Sequence, residues 1–204
     1  MALLYAHADR FAEQRNRSHV NINDILIVGD SWSSAVVAGD PSHRGWPALL
    51  GIPMERNLAV AGSTAVEWAG NYRHYAMNAA AVAADTLILS LGGNDAFQAH
   101  SDGVITVTEI FEAVTALRRV LTGLRRKRML VLLYADPYCG ANPGAVKGLT
   151  YLNMGIELSC AGLHEVELVD LREVLNKEHF DGYDIHPNLA GHEVIAAGIK
   201  RRLA

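Results

Sequence analysis

Ile25-Leu26-Ile27-Val28-Gly29-Asp30-Ser31-Trp32-Ser33-Ser34 runs four apolar residues straight into a glycine, an acid and a hydroxyl. The apolar run is short, continuous and rich in β-branched residues, as parallel strands buried on both faces tend to be. The chemistry after it is that of a turn. Similar runs recur at residues 58–61, 86–91, 129–134 and 166–171. Helix-length segments separate them: an Ala-rich stretch at 64–84, residues 106–126 with Ile110, Val114, Leu117 and Leu121 at helical spacing, then 148–163 and 188–204. Strand alternating with helix means βαβ units, so the pattern predicts an α/β fold with a parallel sheet and helices on both faces.

Size and composition agree with one such domain. A chain of 204 residues can bury one sizeable core and is short for two. Half its residues are hydrophobic and a fifth are charged, ordinary for a globular protein. The single domain is expected to span 1–204, with residues 1–20 as a helical extension whose first 17 residues read as an amphipathic helix. A formal net charge of −4 gives no footprint for nucleic acid or an anionic membrane. The one basic cluster, Arg125-Arg126-Lys127-Arg128, falls where a helix should end, and there positive charge complements the helix dipole. No apolar run is long enough to span a bilayer, and the N-terminus lacks the order of a secretory signal. The expected location is therefore cytoplasmic, or secreted or periplasmic if a leader had been removed. Cys139 and Cys160 have no metal-ligand spacing and read as reduced, structural thiols.

Open parallel sheets bind ligands at the carboxyl ends of their strands, where strand order reverses. The residues just past each expected strand are therefore informative. Gly29-Asp30-Ser31 succeeds the first, Ala61-Gly62-Ser63 the second, Gly92-Gly93-Asn94-Asp95 the third and Asp136-Pro137-Tyr138 the fourth; Asp181-Gly182-Tyr183-Asp184-Ile185-His186 comes shortly after the fifth. A serine hydroxyl needs a base to become a nucleophile, and histidine titrates near neutrality. A carboxylate fixes the tautomer of that histidine, and backbone or Asn amides can receive the oxyanion of a tetrahedral intermediate. Ser31, His186, a nearby Asp, Gly62 and Asn94 supply these parts.

Those blocks, in that order, resemble the SGNH hydrolase superfamily, also called GDSL esterases/lipases. Gly29-Asp30-Ser31 matches its first block, residues 57–64 with Gly62 its second, Gly92-Gly93-Asn94-Asp95 its third, and His186-Pro187-Asn188 with Ala190-Gly191-His192 its last. The resemblance implies a flavodoxin-like, three-layer α/β/α sandwich with a five-stranded parallel sheet. It implies a serine esterase in which Ser31 attacks, His186 is the base, and the Ser31 amide, the Gly62 amide and the Asn94 side chain form the oxyanion hole, with no metal or cofactor. The implied substrate is a small-molecule or carbohydrate ester.

Two departures from the family pattern stand out. The carboxylate usually lies three residues before the histidine, where this chain has Tyr183; Asp184, two before, is favoured, and Asp181, five before, is the alternative acid. Trp32 stands where leucine is usual, and either narrows the site or packs beneath it. Asp95 is expected to cap or to orient Asn94, Trp46 to be core, and His192 to lie in the last helix. The loops at 32–44, 96–104 and 138–146 should line the mouth, with Trp32 and Tyr138 as candidate substrate contacts. Their shortness favours small acyl groups. A carbohydrate acetyl-esterase and a catalytically silent binding module remain alternatives; a flavin or nucleotide binder is disfavoured because the first loop offers Asp30 rather than a phosphate cradle.

Overall fold

Four parallel strands form the sheet in the order β1 (Ile25–Gly29), β2 (Thr86–Ser90), β3 (Arg128–Leu133), β4 (Val166–Asp170). The structure is a computed structural model that describes residues 20–34, 45–70, 78–79, 81–98, 106–136, 143–182 and 184–204. Every residue of β1 and β2 is buried, which explains why their sequences are continuously apolar rather than alternating. Their register pairs Ile25 with Thr86 and ends with Gly29 against Ser90, so both strands reach the same rim together.

The expected fifth strand, 58–61, lies beside β1 but does not form a regular ladder. Asn57 makes an isolated parallel bridge to Ile27, Leu58 N donates to Ile27 O at 2.9 Å, and Val60 N donates to Gly29 O at 2.8 Å. On the outer side, Ala59 N donates to the Asn57 side chain at 3.2 Å, so the segment closes its own edge. Ser63 then bends the chain away, with its N–H and its hydroxyl both donating to Val60 O. The chain thus steps out on one side of β1 and returns on the other at β2. Strand order reverses there, and open parallel sheets bind their ligands at the carboxyl ends of the strands flanking such a reversal.

Helices cover both faces. α1 (Trp46–Leu49) packs on α6 (Leu189–Leu203), while α2 (Ala65–Gly70) and α5 (Pro143–Cys160) pack on α4 (Val107–Gly123), with α3 (Gly93–Gln98) between them. The α/β sandwich read from the sequence is therefore present. Thr106 and Glu109 start α4 with a reciprocal capping box, and Ala113, Ala116, Leu117, Val120 and Leu121 form its buried stripe. The expected helix over 64–84 is seen as α2, plus helical residues 78–79 and 81; residues 71–77 lie outside the described residues. α5 starts five residues earlier than expected, because Pro143 suits a first helical turn, where its missing N–H costs nothing. The stretch 143–146 is consequently helix rather than loop, and 96–98 belongs to α3. Residues 1–19, 35–44, 99–105 and 137–142, including Cys139 and Tyr138, lie outside the described residues.

The basic cluster is absorbed by the fold. Arg126 donates to the carbonyls of Ala79 and Val82, Lys127 pairs with Asp85, Arg128 with Glu167, and Arg125 with Glu165. Burial pushes the Cys160 thiol up to about 11, which disfavours its thiolate form. Trp46 is buried in the core, and no helix among the described residues is long and apolar enough to cross a membrane.

Gly29 has φ +146°, and a Cβ there would lie 2.0 Å from Ser90 O, inside the β1–β2 pairing. Gly29→Ala is expected to cost at least about 2 kcal/mol in urea unfolding, from backbone strain and the forced separation of the two strands. An unchanged midpoint would contradict this account of the rim.

Candidate active site

At the end of β1, the turn is organised by Asp30 rather than by Ser31. The Asp30 carbonyl accepts from Ser33 N at 3.1 Å and Ser34 N at 3.0 Å, and its carboxylate accepts from Trp32 N at 3.1 Å. This is capping chemistry, with the aspartate as the cap. The Ser31 hydroxyl takes no part in it and makes no hydrogen bond among the described residues, although the residue is only 7% exposed. A capped turn and an uncommitted serine therefore coexist in one tripeptide.

The Asp30 carboxylate is the centre of a buried polar cluster. Its Oδ2 accepts from the Tyr134 hydroxyl at 2.5 Å, and Oδ1 accepts from Ser90 Oγ at 3.3 Å; Ser90 Oγ is in turn 2.6 Å from Ser33 Oγ. Burial is the largest influence on this carboxyl and raises it to about 6, against the pull of those donors. Burial, followed by the charge of Asp30, also lifts the Tyr134 phenol well above its usual range.

Gly62 comes after the irregular edge segment with φ +80°, a left-handed conformation that glycine adopts without steric cost. Asn94, near the start of α3, donates from Nδ2 to Ser63 O at 3.0 Å, which ties its amide to the Gly62 turn. An amide nitrogen carries two hydrogens, so this bond orients the group and leaves a second donor direction. Asp95 caps the neighbouring helix: its carboxylate accepts from Ala65 N at 2.6 Å and Val66 N at 3.2 Å at the start of α2. Burial nonetheless raises its pKa.

His186 sits on a loop pinned at both ends. Phe180 and Pro187 form an antiparallel bridge, Asn188 N donates to His179 O at 2.8 Å, and the Asn188 side chain caps α6 by accepting from Gly191 N at 3.0 Å. Within the loop, one oxygen of Asp184 accepts twice from the same residue: from His186 N at 2.9 Å and from His186 Nδ1 at 2.6 Å. An Asp side chain bonded to the backbone two residues on is an Asx-turn, and here that turn delivers the imidazole to the carboxylate. A two-residue spacing therefore suffices to reach Nδ1. Asp181 is engaged elsewhere, accepting from Asn188 Nδ2 at 2.9 Å. His192, fully buried in α6, accepts from Trp46 N at 3.1 Å.

Aromatic packing connects the His186 loop to the Ser31 turn. Trp32 is 3% exposed and lies edge-on to Tyr134, with ring centroids 5.2 Å apart, and tilted against Phe180 at 6.1 Å. Its indole thus fills the space beneath the turn, and its carbonyl accepts from Trp46 Nε1 at 2.8 Å. No hydrogen bond joins the Ser31 and His186 side chains here; such bonds commonly tighten only when substrate is in place. Tyr134, Ser90 and Phe180 were not singled out from the sequence. The only signal for Tyr134 was a polar tip at the end of an otherwise aliphatic run. No group of His, Cys, Asp and Glu among the described residues is arranged to hold a metal ion.

A parallel α/β sandwich carrying serine, glycine, asparagine and histidine at its carboxyl rim has the layout of an acyl-transferring hydrolase. The chain belongs to the GDSL-like Lipase/Acylhydrolase family, which matches residues 27–194, and so is a carboxylic ester hydrolase of the SGNH superfamily. Solved structures share the fold at low identity. A catalytic mutant of Axe2, an acetylxylan esterase from Geobacillus stearothermophilus, superposes with a TM-score of 0.68 at 13% identity, over 88% of this chain and 93% of that one. The lipase Lip_vut3 from a goat rumen metagenome gives 0.65 at 16%, over 88% and 99%; LAE5, an α/β hydrolase enzyme from the metagenome of Lake Arreo, Spain, gives 0.65 at 19%, over 88% and 94%. No curated protein sequence matches the chain.

The raised Asp30 pKa has a signed consequence for stability. In the unfolded chain this carboxyl titrates near 3.8 and in the fold near 6, so between those values the native state binds more protons and stability falls as pH rises. Relative to Asp30→Asn, the wild type should gain on the order of 2–3 kcal/mol as pH drops from 7 to 4. Urea unfolding at the two pH values reads this, and parallel shifts in both proteins would refute it.

Proposed function

We propose that the protein is a serine esterase acting on carboxylic esters with short acyl groups through an acyl-serine intermediate, with Ser31, His186 and Asp184 as its triad. The observation that carries this reading is the 2.6 Å contact between His186 Nδ1 and Asp184, which leaves Nε2 as the base. Ser31 Oγ attacks the ester carbonyl and passes its proton to Nε2, while Asp184 stabilises the imidazolium. The carbonyl oxygen becomes an oxyanion, held by the backbone N–H groups of Ser31 and Gly62 and by the Asn94 amide. Collapse expels the alcohol, which takes the proton from Nε2, and leaves the acyl group on Ser31. Water, deprotonated by His186, then attacks the acyl-serine; the carboxylic acid leaves and Ser31 recovers its proton.

Short acyl groups are supported by the buried rings of Trp32 and Tyr134, which pack edge to face and fill the core next to the Ser31 turn. A second reading deepens the first: the acyl group is an acetyl on a carbohydrate. It draws on the acetylxylan esterase named among the structures of the same fold.

Ser31→Ala should abolish hydrolysis of p-nitrophenyl acetate while leaving the melting transition in place; retained turnover would exclude Ser31. Asp184→Asn should lose about three to four orders of magnitude in kcat, and Asp181→Asn less than about tenfold. The reverse order would move the acid to Asp181. A panel of p-nitrophenyl esters of increasing acyl length, run beside acetylated xylan, should show highest kcat/KM at acetyl or propionyl, and preference for chains of eight or more carbons would overturn the short-acyl reading.

A further inference from the structure

The nucleophile candidate has a neighbour on each side, and both are held by one residue far along the chain. On one side, the Tyr134 hydroxyl donates to Asp30 Oδ2 at 2.5 Å. On the other, the Tyr134 ring lies edge-on to Trp32 at 5.2 Å and 72°. The same ring also sets the position of the residue before Asn94. A Cβ on Gly93 would lie 2.9 Å from Tyr134 Cε1 and 3.2 Å from Asp30 Oδ2, so Gly93 backbone rests directly on the phenol–carboxylate pair.

Tyr134 is itself clamped. Its N–H donates to Asn153 Oδ1 at 2.9 Å and its carbonyl accepts from Asn153 Nδ2 at 2.8 Å, so a buried amide on α5 fixes the backbone just past β3. A full chain of contacts therefore runs from α5 through Tyr134 to the turn that carries Ser31 and to the start of α3. Every member is buried. A phenol placed here for bulk alone would need no partner for its hydroxyl, and phenylalanine would serve as well; a carboxylate placed here for bulk alone would carry a desolvation cost for nothing.

We propose that Tyr134 is a positioning residue for the acyl-transfer step: through Asp30 it aims the Ser31 backbone N–H and hydroxyl, and through Gly93 it sets the height of the Asn94 amide. This rests on the reading of Ser31 as nucleophile and of Ser31 and Asn94 as oxyanion donors. The hydroxyl of Tyr134 holds Oδ2, which leaves Oδ1 to hold the Trp32 amide, and the peptide between Asp30 and Trp32 is the one whose N–H and side chain must face the carbonyl. Without that hydroxyl the carboxyl can rotate or take up a proton, and the turn loses its aim. The loss falls on the transition state, where oxyanion geometry matters, and not on the ground-state complex.

The test is a double-mutant cycle with Tyr134→Phe and Asp30→Asn on p-nitrophenyl acetate, with near-ultraviolet circular dichroism as the check on folding. Tyr134→Phe should lower kcat by about tenfold or more, the size expected for a hydrogen bond to a charged group, with KM changed by less than about twofold. The double variant should be no slower than the slower single variant by more than about threefold, because both changes break one linkage. Wild-type kcat in Tyr134→Phe, a loss confined to KM, or losses that multiply in the double variant would each overturn the inference. Ser90→Ala removes another donor to the same carboxylate and serves if Tyr134→Phe does not fold; it should lower kcat at unchanged KM, and wild-type kcat would count against the proposal. A fluorophosphonate separates the two levels of the argument. Failure to label wild-type Ser31 overturns the nucleophile and this inference with it, whereas labelling of Tyr134→Phe at the wild-type rate overturns this inference alone.

Discussion

The Asp30 carboxylate ties together the carboxyl ends of three strands. It stands at the end of β1 and accepts from Ser90 at the end of β2 and from Tyr134 just past β3. Taking a carboxylate out of water is costly, and only a full set of donors makes it tolerable. The cost is visible in the raised pKa, and the donors are visible in the geometry. What the fold gains is a rim whose strands cannot shift separately. The turn that presents Ser31 is therefore anchored to the sheet and not to a loop, in the way that rigid elements hold a site more sharply than mobile ones.

Much of this was readable without coordinates, for a definable reason. Buried parallel strands must be apolar on both faces, so β1 and β2 announce themselves as unbroken runs, and Gly29, Gly62 and Asn94 sit at or just after such runs, while His186 is marked by Pro187-Asn188 at the entrance to the last helix. Their chemistry is local and their positions are set by the ends of strands and the start of a helix. The contributions that stayed hidden are those that depend on distant partners. Tyr134 reads as the last residue of a strand until Asp30 is seen beside it, and Trp32 could equally narrow the site or support it until Phe180 and Tyr134 are seen against its ring. Asn57 gives no hint that its side chain will close the outer edge of the sheet, which is why a fifth regular strand was expected where an irregular segment lies.

One local device serves both halves of the site. Asp30 bonds the amide of Trp32, and Asp184 bonds the amide of His186, each two residues on. In the first case the turn is tightened around the serine that lies between; in the second it swings the histidine ring back onto the same carboxylate. The spacing between acid and base is thus a property of the turn type, and a chain can change it by exchanging one kind of turn for another. A carboxylate therefore reaches His186 Nδ1 from position 184 although position 183 holds tyrosine.

The edge segment carries a different consequence. Gly62 hangs from a stretch joined to β1 by two backbone hydrogen bonds, while the other side of β1 is zipped along its full length to β2. Cooperative units come apart in order of their local free energy, and the most weakly laddered one goes first. Warming should therefore peel residues 57–63 from the sheet before the core melts, carrying Gly62 away from the end of β1 while the rest of the sandwich persists. Loss of the Gly62 turn is then expected at a lower temperature than loss of the sheet.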